Sequence, residues 1–286
     1  YLPKCNPSCN TGKCVNDNVC DCRGTLFKGQ YCNEYYLIKR YKIVDNFLII
    51  LLFALSVLSV ILIFAVIIYR KKSLIKQSGY DFLILILIGT IFNYLHCYFF
   101  TKDISRIYEC YLNQIFLSIG YSFIYVSILV KTLRIYKIFK GRVKIKKGLK
   151  KTSMYFIILG FILIQLAIIS LWKITDSVLI ENKLTNDNQM YNECYYPLSN
   201  KINIIIRFII LFIGSYLAYE IRNVPNNFKE DLAVPVYICC LMNIFSDIYS
   251  RLNITKRIED FFNGITVITY TFIVIWFLYI NKFYKL

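Results

Sequence analysis

Seven apolar runs of about 19 to 23 residues are the feature that most constrains this chain of 286 residues. A helix rises about 1.5 Å per residue, so each run is long enough to cross a hydrocarbon layer of about 30 Å. The runs lack the two-residue alternation of a membrane β-strand. They predict spans at Phe47–Tyr69, Phe82–Phe100, Tyr111–Val130, Met154–Trp172, Ile202–Ile221, Leu232–Ser250 and Phe261–Ile280.

The polar segment before the first run holds six of the eleven cysteines, between Cys5 and Cys32. Such a cluster in a short segment is typical of disulfides formed in an oxidising compartment. A zinc site is the alternative, but zinc-binding cysteines favour a two-residue gap, and this segment has gaps of three and one. The chain begins without an initiator methionine or a signal sequence, so we expect it to be a fragment of a longer protein.

The end of this segment reads Cys20-x-Cys22 and then, after nine residues that include Phe27 and Gly29, Cys32. It resembles the last loop of an EGF-like module. The resemblance implies the pairs Cys5–Cys14, Cys9–Cys20 and Cys22–Cys32. About 30 residues cannot build a hydrophobic core, so these bridges would supply the stability. The domains expected are an EGF-like module over residues 1–36, a linker over 37–46 and a seven-transmembrane domain over 47–286.

A basic stretch follows the third run, with ten Lys or Arg residues between Lys131 and Lys151 and no acidic residue. If the oxidised amino end is extracellular, the inner loops carry 18 basic residues and the outer segments near the membrane carry 11. This excess agrees with the positive-inside rule. Membrane topology and anionic inner-leaflet lipids therefore explain the net charge of +17 better than nucleic-acid binding does. We expect a multi-pass plasma-membrane protein.

Three residues on the predicted outer side have expected modifications. Cys110, at the start of the third span, and Cys194, in the long loop 173–201, are placed to form a disulfide that would hold this loop over the helices. Asn253 begins an Asn-Ile-Thr sequon and is a possible glycosylation site close to the membrane.

Three motifs at the predicted inner ends of the spans resemble those of class C G-protein-coupled receptors. Lys131-Thr132-Leu133-Arg134-Ile135 is similar to the K-T-x-R-[IV] pattern of that family. The stretch RNVPNNFKE from Arg222 to Glu230 is similar to R-x-[VL]-P-x-x-F-N-E, and Asn281-Lys282-Phe283-Tyr284 to P-K-x-Y. Lys229 and Asn281 depart from the usual Asn and Pro, and the sixth span lacks a Trp. The likeness covers residues 45–286, and the loop lengths favour the GABA-B-like branch.

The resemblance implies an all-α membrane protein, namely a seven-transmembrane bundle with a small disulfide-rich module before it. It implies a receptor without enzymatic activity, dimeric with itself or another class C subunit, whose small-molecule agonist binds a domain outside this fragment. It also implies an ion pair between Lys131 and Glu230 that holds the third and sixth spans together at rest. A heterotrimeric G protein would contact the residues Arg134, Lys137, Lys140, Arg142, Arg222 and Lys282.

Arg207 and Asp247 are charged residues placed within the spans. Arg207 and Asp247 are at similar depths in the fifth and sixth spans, and a mutual ion pair is expected because lone charges at that depth are unfavourable. His96 is expected to be a hydrogen-bonded packing residue. No nucleophile, paired-carboxylate or metal-binding constellation, and hence no metal or cofactor, is predicted. Two alternatives stay open at this point, an EGF-bearing adhesion protein without G-protein coupling and a transporter.

Overall fold

Two small β-hairpins held by disulfides form the amino-terminal segment of the computed structural model. β1 (Lys13–Asn16) pairs with β2 (Val19–Asp21), and β3 (Phe27–Lys28) pairs with β4 (Glu34–Tyr35). The disulfides join Cys5 to Cys14, Cys9 to Cys20 and Cys22 to Cys32, the pairs that the EGF-like resemblance implies. Because these six sulfurs are bonded to one another, they cannot act as thiolate ligands of zinc.

Helices make up most of the remaining chain, and a third hairpin of β5 (Leu179–Leu184) and β6 (Met190–Tyr195) interrupts them. A π-helical turn over Ser122–Val126 joins α4 to α5, and another over Trp276–Ile280 joins α9 to α10. The helices are α1 (Lys42–Ile68), α2 (Ser73–Ser78), α3 (Tyr80–Tyr98), α4 (Ile107–Tyr121), α5 (Ser127–Phe139), α6 (Lys151–Ile174), α7 (Asn200–Glu220), α8 (Ala233–Arg251), α9 (Lys256–Ile275) and α10 (Asn281–Tyr284). The structure describes residues 2–38, 40–139, 149–185, 188–222, 224, 233–252 and 255–284, without the side chains of residues 247, 250 and 251.

Six helical segments of the described residues are long and apolar enough to cross a membrane. They contain α1, α3, α4 with α5, α6, α7, and α9 with α10. α8 contributes a shorter apolar stretch, Ala233–Ser246, and packs against α7 and α9. This arrangement agrees with a helical multi-pass membrane protein, and the count of seven spans stays a prediction.

The helices extend beyond the predicted apolar runs at several ends. α1 begins at Lys42, inside the predicted linker, and α5 continues to Phe139, more than two turns into the basic stretch. Hydropathy marks only the part of a helix within hydrocarbon, whereas Lys and Tyr side chains let a helix continue through the headgroup layer. We call the end of the bundle where the linker enters α1 the linker end, and the end that carries α2 the opposite end.

Hydrogen bonds between buried hydroxyl groups and neighbouring helices supplement the apolar packing. The hydroxyl groups of Ser59 on α1 and Thr90 on α3 lie 3.0 Å apart and are both buried. Elsewhere on α3, the carbonyl of Leu83 accepts a hydrogen bond of 2.5 Å from the Tyr279 hydroxyl. Such bonds matter in a membrane because lipid offers the hydroxyl groups no alternative partner.

Two glycines lie where α3 packs tightly against α4 and the π-helical turn that follows it. A methyl group at Gly120 would lie 2.5 Å from Asn93 Oδ1 and 3.0 Å from the Asn93 nitrogen. One at Gly89 would lie 2.8 Å from Phe123 Cβ. Small residues are common where membrane helices pack backbone to backbone, since they let van der Waals contacts form over a larger area.

We expect Gly120→Ala to lower the free energy of unfolding by about 1–3 kcal/mol, because the added methyl group overpacks the contact with Asn93. Gly160→Ala on α6 is the matched control, since nothing lies within 4 Å of a methyl group placed there. That control should be neutral or stabilising through its gain in helix propensity, by up to about 1 kcal/mol. Thermal unfolding of the purified protein in detergent compares them, and equal effects of the two substitutions would contradict the predicted packing.

Candidate functional site

The hairpin of β5 and β6 is fastened to the linker end of the bundle. Cys194 on β6 forms a disulfide with Cys110, which is fully buried in the first turn of α4. The Tyr196 hydroxyl donates to the Cys110 carbonyl at 3.1 Å, and Asn192 Nδ2 donates to the carbonyl of Ile104 at 3.0 Å. Within the loop predicted over 173–201, β5 and β6 therefore form a hairpin held against the bundle, and we call this hairpin the ribbon.

The linker pairs with this ribbon before it enters α1. The nitrogen of Met190 donates to the carbonyl of Tyr36 at 2.8 Å, and the nitrogen of Ile38 donates to the carbonyl of Met190 at 2.9 Å. Leu37 thereby forms a parallel bridge with Met190 at the start of β6. These main-chain bonds connect the amino-terminal segment to the ribbon directly, so the linker is not a free tether.

Arg40 is the centre of a charge cluster at the linker end. Its guanidinium lies 3.3 Å from Asp45, 3.2 Å from Asp103 and 3.5 Å from Asp260, and it also donates to the carbonyl of Phe100. The partners come from α1, from the segment after α3 and from α9. One side chain of the linker therefore joins three parts of the bundle.

Lys256 extends the cluster to the ribbon. Its ammonium lies 3.1 Å from Glu193 on β6, 3.3 Å from Glu259 and 3.4 Å from Asp260. Lys183 on β5 adds a contact of 2.7 Å to Glu193. Burial alone would raise the pKa of Glu193, but Lys256 and Lys183 outweigh it and hold that pKa below its usual value. Glu193 is therefore charged at neutral pH and holds the ribbon to α9.

A cavity of about 180 Å³ lies among the linker, the segment after α3, the ribbon and the start of α9. Arg40, Lys102, Glu193 and Asp260 are among the residues that line it. Sequence reasoning missed this cluster. The available signal was that Arg40, Asp103 and Asp260 all flank apolar runs on the same predicted side of the membrane.

The predicted G-protein contacts that the structure describes lie at the opposite end. Arg134 and Lys137 are exposed on α5. Arg222 follows α7, where its guanidinium donates to the carbonyl of Tyr219 at 3.2 Å and lies 3.8 Å from the centre of the Tyr219 ring. Lys282 on α10 donates to the hydroxyl of Ser78 on α2 at 2.5 Å. Lys140 and Arg142 lie outside the described residues.

Lys131 lies one turn before Arg134 on α5 and is buried, with 8% of its surface exposed. An ammonium group at such a position requires a counter-charge or several hydrogen-bond acceptors. Its predicted partner, Glu230, lies outside the described residues, so the pair stays a prediction. Asn253, the predicted glycosylation site, also lies outside them.

The charged residues of the membrane core are described in part. The Arg207 guanidinium lies 5.9 Å from the ring centre of Tyr121, whose hydroxyl donates to the Arg207 carbonyl at 2.7 Å. Nε and Nη2 of Arg207 have no hydrogen-bond acceptor within the described part of the chain. The side chain of Asp247 is not described, so the predicted pair with Arg207 stays a prediction. His96 is buried, and its Nδ1 lies 2.5 Å from Asn113 Oδ1.

Comparison with known proteins agrees with this architecture. The family described as "7 transmembrane sweet-taste receptor of 3 GCPR" matches residues 42–282. Metabotropic glutamate receptor-like protein B of Dictyostelium discoideum is 26% identical over 242 residues, which are 80% of this chain and 32% of that protein. Metabotropic glutamate receptor-like protein J of the same organism is 24% identical over 234 residues, 77% of this chain and 30% of that protein.

The chain spans about a third of the length of these relatives. The matched region begins at the first residue of α1 and ends on α10, so it contains all the apolar helices described above. The chain therefore belongs to the class C, or family 3, G-protein-coupled receptors, a family of multi-pass membrane signalling proteins.

Proposed function

We propose that this chain is the membrane-signalling part of a class C receptor of the GABA-B-like type, with seven spans and its amino end outside the plasma membrane. An EGF-like module precedes the bundle in this proposal. The agonist, a small molecule, binds a separate extracellular domain that is not in this chain, and the receptor works as a homodimer or a heterodimer. The GABA-B-like assignment is supported by the loop lengths, and the orientation by the disulfides and the excess of basic residues in the inner loops.

One observation carries the proposed coupling to a heterotrimeric G protein. Lys131, Arg134, Arg222 and Lys282 belong to three separate class C-like motifs of the sequence, and all four lie at the opposite end of the bundle. A cationic face of this kind complements an acidic partner surface and steers its encounter. Lys140 and Arg142 enter the proposal from the sequence alone, as does adhesion of the basic stretch to anionic inner-leaflet lipids.

The proposed switch is the ion pair of Lys131 and Glu230. A buried ammonium on α5 that pairs with a carboxylate near the start of α8 would hold the two helices together in the resting state. Breaking a partly buried pair can bias such a two-state equilibrium by about 1–3 kcal/mol, which is about 5- to 150-fold in the equilibrium constant. The burial of Lys131 supports this role, since an exposed lysine would gain little from a partner.

We expect Glu230→Lys to raise basal nucleotide exchange on a purified G protein, because two cations would then repel each other and favour the open arrangement. The measurement compares variants in nanodiscs at equal receptor content and without agonist. The double reversal, Lys131→Glu with Glu230→Lys, should return exchange toward the unmodified level.

Unchanged basal exchange in Glu230→Lys, with the protein correctly folded, would remove the switch from the proposal. If the protein neither stimulates exchange nor retains any Gα subunit, the result would instead favour an EGF-bearing adhesion protein without G-protein coupling. Transport of a solute into vesicles would favour the transporter reading.

A further inference from the structure

A second cavity lies at the opposite end of the bundle, and Lys131 is not among the residues that line it. It has a volume of about 600 Å³ and lies among α2, the start of α3, the end of α5 and the start of α6. This volume is within the range of small-molecule sites, about 300–1,000 Å³. Its polar lining residues are Ser73, Lys76, Gln77, Tyr80, Arg134 and Lys151.

The cations of this cavity differ in their pairing. The ammonium of Lys151 forms an ion pair with Asp81. Neither the ammonium of Lys76 nor the guanidinium of Arg134 has a carboxylate or a hydrogen-bond acceptor among the residues that the structure describes. Arg70, Lys71 and Lys72 lie in the turn just before α2 and do not line the cavity. Two cations that face one cavity, with no counter-charge within the described part of the chain, favour an anionic occupant.

The neutral lining groups suit a phosphorylated occupant. Ser73 and Tyr80 offer hydroxyl groups, and the Gln77 amide, which donates to the Ser73 hydroxyl at 3.3 Å, can also reach acceptor oxygens. A guanidinium binds two phosphate oxygens with its planar fork, and an ammonium binds phosphate as a point charge. The cavity offers one guanidinium, one ammonium, hydroxyl donors and open space. This combination fits several phosphate groups on one ring better than a single phosphodiester.

The position of the cavity indicates where such an anion comes from. α2 begins five residues after the end of the apolar helix α1, so the cavity lies at the level of the lipid headgroups. Leu74 on α2 is exposed and would face the lipid. Basic pockets between membrane helices at this depth are typical sites for lipid headgroups with several negative charges.

We propose that this cavity binds an anion with clustered phosphomonoester groups, the headgroup of a phosphoinositide, with Arg134 and Lys76 as the phosphate ligands. The hydroxyl groups of Ser73 and Tyr80 bind the remaining ring or phosphate oxygens. A bound headgroup ties α2 to the end of α5. Nanodiscs expose both ends of the bundle to lipid, and the binding can be measured there without a G protein. The proposal therefore rests on the orientation proposed above only for the side of the cell membrane that supplies the lipid.

The test uses the full chain in nanodiscs that contain either phosphatidylinositol bisphosphate or phosphatidylserine at matched total charge, with bound lipid measured by native mass spectrometry. We expect preferential retention of the phosphoinositide. Lys76→Gln and Arg134→Gln should each weaken it by about tenfold through loss of a charge-assisted contact. Lys71→Gln, which removes an exposed cation of the same end that does not line the cavity, should leave retention within about twofold. Thermal unfolding of each variant checks that it is folded.

A second arm of the experiment adds soluble inositol trisphosphate as a competitor. It distinguishes free inositol phosphates from a membrane-borne headgroup, which carry the same phosphate groups. Competition that Arg134→Gln abolishes supports the site and assigns it to free inositol phosphates as well as lipid. Absence of competition, with lipid retention intact, supports a membrane-borne headgroup. Equal retention of the two lipids, or equal weakening by Lys71→Gln and Arg134→Gln, would overturn the proposal in favour of diffuse electrostatic attraction. Because coupling is not measured, failure here leaves the proposed receptor function unaffected.

Discussion

Replacing Cys110 and Cys194 together with Ala is expected to lower the free energy of unfolding of the bundle by about 2–4 kcal/mol. The disulfide closes a loop of 84 residues that includes α4, α5 and α6, and it fixes the ribbon to the linker end. The entropy gained by the unfolded chain after the cross-link is removed grows with loop length. Helices that persist in the unfolded state within the micelle limit this gain, which is why we place the effect below the full chain-entropy value.

Thermal unfolding in detergent measures the effect, and the single variants Cys110→Ala and Cys194→Ala should each lose nearly as much as the double variant, since either one breaks the same bond. The matched control is Cys5→Ala with Cys14→Ala, which opens a loop of nine residues in the amino-terminal segment. That control should leave the unfolding of the bundle unchanged. Additive losses of the two single variants would show that each cysteine acts through packing and not through the disulfide.

Arg40→Gln is expected to destabilise the linker end by about 3 kcal/mol, because it leaves the carboxylates of Asp45, Asp103 and Asp260 without their shared cation. The Arg40 side chain is only 19% exposed, so water compensates little for the lost contacts. The same change should speed hydrogen exchange at the Ile38 amide, which is bonded to the carbonyl of Met190. Unfolding in detergent and exchange measured by mass spectrometry report the two effects separately.

Arg23→Gln is the matched control for this prediction. Arg23 also pairs with an aspartate, Asp21 at 3.0 Å, but its side chain is 92% exposed, so replacing it should leave thermal unfolding nearly unchanged. Combining Arg40→Gln with Asp45→Asn should recover part of the stability, since it removes a carboxylate whose described cation is Arg40. Equal losses for Arg23→Gln and Arg40→Gln would contradict the role of the Arg40 cluster in joining the linker to the bundle.

The cluster around Arg40 also defines how a movement of the amino-terminal segment could reach the helices. The linker is bonded to the ribbon through Met190, the ribbon to α4 through Cys110, and Arg40 to α1 and α9. A displacement of the segment must therefore strain these contacts or move the helices with it, because packed structures deform between discrete arrangements. Arg40→Gln removes the ion pairs of the linker to α1 and α9. In that variant, a displacement of the segment should therefore move these two helices less.

Much of the helical architecture could be predicted from the chain alone, because a bilayer imposes a simple length and polarity rule on each span. The apolar run at Met154–Trp172 lies within α6, and the run at Phe47–Tyr69 lies within α1 except for its last residue. Helix ends were less predictable, since α1 and α5 continue through the headgroup layer, where hydropathy carries little information. The G-protein contacts and the Lys131–Glu230 pair were predicted from the resemblance of motifs. Among these residues, Lys131 is buried, which is a physical reason for it to need a charged partner.

The sequence by itself determined the membrane class, the helical spans, the cysteine-rich segment and the family, since each depends on local length, composition or motif spacing. Only the tertiary structure decided that Arg40, Asp103, Glu193 and Asp260 meet in one cluster and that Lys76 and Arg134 face one cavity. These residues are separated by up to 220 positions along the chain. Their meeting depends on how helices cross and where a ribbon folds back, and those features arise from side-chain packing between distant segments, which no local pattern encodes.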